Sequence, residues 1–204
     1  MYTVRVDYLP LQMTRLEKLQ KTNLNIFTTD DLVILWEVEN RREAIESVKD
    51  YTRRGRMFSI KKGVYSLTKE YDIKELSQKL ITPSYISYYT ALGIHGIIFQ
   101  KYSEIHCMAS YSKTFDIKEQ KFIYHKTTQE ILHSQKGILI EANYTIANPE
   151  RAVCDSLYLN SNSAFDNLRN VSIEKLQEVA KIYKNKRLEK DIEKLIQYIK
   201  KDVK

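Results

Sequence analysis

The chain has 204 residues, 43% hydrophobic and 29% charged, the balance of a folded globular protein with room for one domain or two small ones. It has no run of about 18 apolar residues, which excludes a helical membrane span, and its two cysteines are too few for a disulfide framework. A net charge of +7 points to an acidic partner, of which nucleic acid is the commonest.

The N-terminal stretch MYTVRVDYLP lacks the basic n-region and long apolar segment of a signal peptide, so a cytoplasmic protein is expected. Cys107 and Cys154 would stay reduced there, and both read as small buried hydrophobes. Leu9-Pro10 favours an extended lead-in, and Leu11, Arg15, Leu16 and Leu19 fit a first helix broken at residues 23–25. A second helix starts at Thr28 or Thr29, whose hydroxyl can cap it, with Asp30 and Asp31 in the first turn where the helix dipole favours negative charge. Leu32, Leu35 and Trp36 share one face of it.

Asn40 followed by Glu43 reads as a variant capping box, so a third helix starts at Arg41. Ala44, Ile45, Val48 and Tyr51 lie on one side of it and Arg42, Glu46, Lys49 and Arg53 on the other. Gly55 is the expected stop. Two short strands follow, 57–61 and 64–67, joined at a Lys62-Gly63 tip. Three helices and a basic hairpin are the order of a winged helix-turn-helix.

Residues 41–62 carry eight bases, Arg41, Arg42, Lys49, Arg53, Arg54, Arg56, Lys61 and Lys62, against three acids. The basicity is local, because residues 41–62 and 181–204 each carry +5 and the remainder is negative. On DNA, Arg42 and Lys49 are expected to reach base edges, the arginines at the helix end to hold phosphates, and Lys61 and Lys62 to sit on phosphates or in the minor groove. The competing reading is a solvated basic face.

Residues 69–80 give a bridging helix with Ile73, Leu76 and Leu80 in register, so the expected domains are 1–80 and 81–204. Ser84 can cap a further helix ending at Gly96, with Tyr85, Tyr88, Tyr89 and Leu92 on one face. That stripe reads as buried, with base stacking the alternative. Short strands at 104–109, 114–117, 121–125 and 137–146, the last interrupted at Asn143, with a turn of helix at 127–133, suggest a small antiparallel sheet. Asn148-Pro149-Glu150 opens a helix. Ser172 opens another carrying Ile173, Leu176, Val179, Ala180 and Tyr183, and Leu188, Ile192, Leu195, Ile196 and Ile199 define the last. Their lysines are a solvated face or a second nucleic-acid surface. The fold class is α+β, a winged domain followed by a mixed C-terminal domain.

Nothing here reads as an enzyme. The five glycines form no phosphate-binding loop, and the four histidines and two cysteines have no zinc spacing, so neither cofactor nor metal is expected. Asp116 and Glu141 fall on strands expected to be neighbours, as a nuclease would want, but no lysine nearby completes that set.

Three stretches, RRGRMFSIKKGVYSL, TPSYISYYTALGIHG and ANYTIANPERAVCDSLYL, in this order and over nearly the whole chain, resemble the antitoxins of AbiE-type (type IV, abortive-infection) toxin–antitoxin systems. The resemblance implies a winged domain that represses its own operon by binding inverted repeats, with DNA contacts from residues 41–54 and from Lys61 and Lys62. It also implies a C-terminal domain that counteracts a nucleotidyltransferase-like toxin; such antitoxins are usually classed as acting without a stable complex, so a toxin interface is not assumed. The matching residues Tyr85, His95, Pro149 and Asp155 read as architectural. The alternative is a winged-helix regulator whose C-terminal domain senses a ligand or dimerises.

Overall fold

The computed structural model describes residues 13–160 and 162–202, and shows two compact units, the first ending at Lys69 and the second starting at Glu70. The expected lead-in at Leu9-Pro10 and the apolar position Leu11 lie outside the described residues. No helix among the described residues is long and apolar enough to cross a membrane.

The first unit runs α1 (Arg15–Gln20), β1 (Ile26–Thr28), α2 (Thr29–Trp36), α3 (Arg41–Arg53), β2 (Phe58–Lys61) and β3 (Val64–Ser66). Its helix ends follow from local chemistry. Thr28 is the cap of α2: its amide donates to Asp31 Oδ2 at 2.8 Å, and the Asp31 amide returns to Thr28 Oγ1 at 3.1 Å. Asn40 caps α3 by accepting from the Glu43 amide at 3.1 Å. Only that half of the expected box forms, because the Glu43 carboxylate is turned to Arg15, 2.6 Å away. Gly55 (φ +67°) ends α3, with the Arg56 amide donating to Tyr51 O at 2.8 Å and the Gly55 amide to Thr52 O at 3.0 Å. A side chain at this left-handed position would be strained.

The strands form an antiparallel sheet in the order β1-β3-β2, with Ser66 opposite both Ile26 and Phe58. Leu19, Phe27, Leu32, Trp36, Ala44, Val48 and Met57 close a core between helices and sheet. Truncating a wholly buried member such as Leu32 to alanine costs about 2–5 kcal/mol.

The second unit begins with α4 (Ile73–Leu80), β4 (Ser84–Ile86), α5 (Tyr88–Ile94), β5 (Ile105–Ala109), β6 (Lys113–Ile117) and β7 (Gln120–Lys126). It continues with α6 (Gln129–His133), β8 (Ile138–Ile140), β9 (Thr145–Ala147), α7 (Pro149–Leu159), α8 (Ile173–Ala180) and α9 (Lys186–Asp202). Six strands lie in the order β6-β7-β5-β4-β9-β8. Four differences from the sequence reading appear.

The sheet is mixed, because β4 pairs in parallel with β9 and β5 with β7. Residues 84–86 are a central strand and not a helix start: Tyr85 and Ile86 are both buried, one on each face, which suits a strand covered on both sides. The seam lies at residues 69–70 and not after 80, since α4 packs on β4 and β5. Asp116 and Glu141 are far from neighbours, because β6 and β8 are opposite edges of the sheet.

Alternation along the strands sorts the layers. Tyr124 and Cys107 face α4, where the Tyr124 hydroxyl donates to Ser77 O. Tyr85, Met108 and His125 face the other way, where the Tyr85 hydroxyl meets Asp155 of α7. Gly137 lies against α7 so closely that an added Cβ would sit 2.8 Å from Arg151 Cβ and 3.0 Å from Asn148 Oδ1, and its φ of +74° disfavours any side chain.

Candidate nucleic-acid interface

The exposed side of α3 carries its charge in a regular way. Ala44 and Val48 are buried while Arg41, Arg42, Lys49 and Arg53 are exposed, so the helix spacing alone separates packing from charge. A cleft of about 350 Å³ is lined by Thr28, Asp30, Arg41, Ile45, Lys62 and Tyr65. It brings the start of α3 and the β2–β3 tip to one face of the unit. Gly63 holds the tip down: its carbonyl accepts from the Thr29 amide at 3.0 Å.

The eight basic residues differ in what they already touch. Arg41 grips Asp30 with two donors, Nε to Oδ1 at 2.6 Å and a terminal nitrogen to Oδ2. This bidentate contact holds the Asp30 carboxyl below the usual range and the Arg41 guanidinium above its own. Lys49 donates to Glu46 at 2.7 Å, lowering that carboxyl. Arg54 and Arg53 reach Asp50 at 3.0 and 4.0 Å. Arg42, Arg56 and Lys62 are exposed and make no ion pair with a described residue. Lys61 is half-buried on β2. The paired side chains stay mostly in water, 67% exposed for Arg41 and 78% for Arg53, so the pairs are weak and exchangeable.

No family model matches the chain, and no curated protein does.

The second unit holds charge of the opposite kind. Arg151 and Asp155, one turn apart on α7, are both 0% exposed, with Arg151 Nε 3.7 Å from Asp155 Oδ2. Arg151 also donates to Tyr85 Oη at 2.9 Å, Ile131 O at 2.7 Å and Lys136 O at 2.9 Å. Asp155 accepts from Ser87 Oγ at 2.7 Å, Tyr183 Oη at 2.7 Å and Tyr85 Oη at 3.0 Å. Burial pushes the Asp155 carboxyl up, while Arg151 and the three hydroxyls pull it down. Burial works against the Arg151 charge too, and Tyr183, Asp155 and Tyr85 outweigh it. His95 contacts Ala147 O at 2.7 Å, and Pro149 is the first residue of α7. The partners of these residues are all internal, which is what tying α7 to the sheet requires.

Nearby, His106 Nδ1 and His125 Nε2 lie 2.9 Å apart, with Tyr88, Tyr89 and Tyr102 around them. Burial first, and His125 second, push His106 down to about 4, and burial lowers His125 as well. Among the described residues no group of three or more His, Cys, Asp or Glu is placed to hold a metal. Both thiols are buried, and burial pushes Cys107 up to about 12.

Arg151 is a buried charge that no motif in the sequence singles out. The signal is local: an Arg and an Asp at i, i+4 enclosing the apolar run Ala152, Val153 and Cys154 mark a charged pair flanking a buried stretch of the helix.

Proposed function

We propose that the first unit is a winged helix-turn-helix that binds duplex DNA, and that the protein is the antitoxin and autorepressor of an AbiE-type operon. The observation that carries the DNA reading is the single face shared by the start of α3 and the Lys62-Gly63 tip across their cleft. A helix inserted in the major groove from that side puts Arg42 and Lys49 toward base edges and the hairpin cations toward backbone phosphates. One such helix reads only a few base pairs, so two copies on an inverted repeat supply the length of a specific site. The antitoxin reading rests on the three sequence stretches that resemble the family, of which the second and third fall in the second unit.

The test uses the whole chain. The protein should bind DNA from upstream of its own gene in a salt-dependent way, and co-expression should relieve growth arrest by an adjacent nucleotidyltransferase-like gene product. A Lys61→Ala/Lys62→Ala variant should lose operator binding and still relieve the arrest. No binding to the upstream DNA sinks the repressor half, and no relief by the folded wild-type chain sinks the antitoxin half.

A further inference from the structure

The two aromatic side chains most exposed among the described residues, Phe99 at 69% and Tyr198 at 57%, line the same cavity of the second unit. That cavity measures about 660 Å³, within the usual range for small-ligand sites. Its other walls include Phe165, Leu168, Ile199 and Arg169.

The groove is pre-formed. The loop after α7 is stitched to the segment after α5: the Asp166 and Asn167 amides donate to Ile97 O at 2.9 and 3.1 Å, and the Phe99 amide donates to Asp166 Oδ2 at 2.7 Å. That last bond engages the one acid on the lining. Arg169 is exposed and makes no ion pair with a described residue. On α9, Lys194 and Lys201 lie four residues before and three after Tyr198, on the same helix face and both exposed, and Asp191, two turns before Tyr198, shares that face but is mostly buried. Lys194 leans toward Asp191 at 3.7 Å.

We propose that this groove binds single-stranded nucleic acid, with bases stacked on Phe99 and on Tyr198 and the adjoining phosphates held by Arg169 and the lysines of α9. The aromatic rings are sequence-tolerant platforms, and the cations supply the backbone attraction. A duplex keeps its bases stacked on one another and offers no free face to a protein ring, so an unpaired strand is the form that fits. An apolar peptide fits less well, because the lining carries Arg169 without an ion-pair partner among the described residues, while its one acid, Asp166, is engaged by the Phe99 amide. The site lies wholly within the second unit and does not depend on the DNA reading of the first.

The test is fluorescence anisotropy of the whole chain with a labelled, unstructured single-stranded oligonucleotide, with unlabelled duplex in excess. The wild type should bind. Phe99→Ala and Tyr198→Ala should each weaken binding by roughly ten-fold or more, as expected for loss of a base stack, while Tyr198→Phe retains it. Arg169→Ala should flatten the slope of log K against log salt by about 0.7. Lys61→Ala/Lys62→Ala should leave this binding unchanged, which separates the groove from the hairpin. Both rings are largely in solvent, so these variants should keep the wild-type melting temperature. Three results overturn the proposal: no binding by the wild type, full binding by Phe99→Ala/Tyr198→Ala, or capture of a tyrosine-rich peptide with no oligonucleotide binding.

Discussion

Arg41 with Asp30 and Arg151 with Asp155 are the same chemical pair in two settings. The first is 67% and 60% exposed; the second is 0% exposed on both sides. In water an ion pair exchanges its partner for solvent, or for a phosphate, at little cost. In the interior each charge has lost its hydration, and only the other charge and a full set of hydrogen bonds keep it tolerable. The difference teaches where to look for binding and where for architecture. The cations of α3 are available to a partner, whereas the one cation of α7, Arg151, is already used within the fold.

The comparison breaks most decisively at Arg151. Arg151→Met leaves Asp155 buried with no counter-charge and should destabilise the second unit by about 3–5 kcal/mol, read from urea unfolding. Replacing both partners, as Arg151→Met/Asp155→Leu, should recover part of that loss, because it removes the buried charge along with its partner. A single variant as stable as wild type would mean that the interior pair is as dispensable as a surface one.

The buried His106 sharpens the same contrast through pH. His106, facing His125, Glu104 and three tyrosines, has its pKa lowered from 6.5 to about 4. A group depressed in the folded state contributes stability that is present above about pH 6.5 and lost as pH falls toward 4, on the order of 3 kcal/mol for this shift. Asp155, raised by burial, acts in the opposite sense, so the informative quantity is a difference. His106→Gln should lose less stability than wild type between pH 7 and pH 4.5; parallel curves would show that the imidazole protonates without penalty.

How much of this was legible follows from which signals are local. Asn40, Gly55, Asn148-Pro149 and Ser172 mark helix ends by the chemistry of one turn, and α3, α7 and α8 begin or end at them. Strands β1 and β4 have three residues each, too few for alternation to show, and owe their existence to pairing with distant segments. Ser87 stands at the start of α5 but gives its hydroxyl to Asp155 instead of capping, a tertiary demand no local rule contains. The basic face was readable because charge spacing on a helix is local. The groove was not, because Phe99 and Tyr198 are far apart in the chain and meet only in the fold.

On the exposed side, the contrast predicts function lost without stability. Arg42→Ala should change preference among operator variants by about 1–3 kcal/mol at one base position, the worth of a bidentate base contact. Its melting temperature should stay at the wild-type value, since Arg42 makes no ion pair with a described residue. An equal loss on every DNA sequence would move Arg42 from base reading to phosphate positioning.

The smallest effect, and the most direct probe of the surface pair, belongs to Asp30. Asp30→Asn removes the carboxylate that engages Arg41 at the edge of the α3 cleft. If the exposed pair is only a resting contact, the freed guanidinium gains a phosphate: DNA affinity rises, and log K falls more steeply with log salt, by about 0.9 for one added contact. Folding should barely change, because both side chains are solvated before and after. A weaker complex with an unchanged slope would show instead that Asp30 orients Arg41 for the DNA, and the surface pair would then resemble the buried one in being built for position.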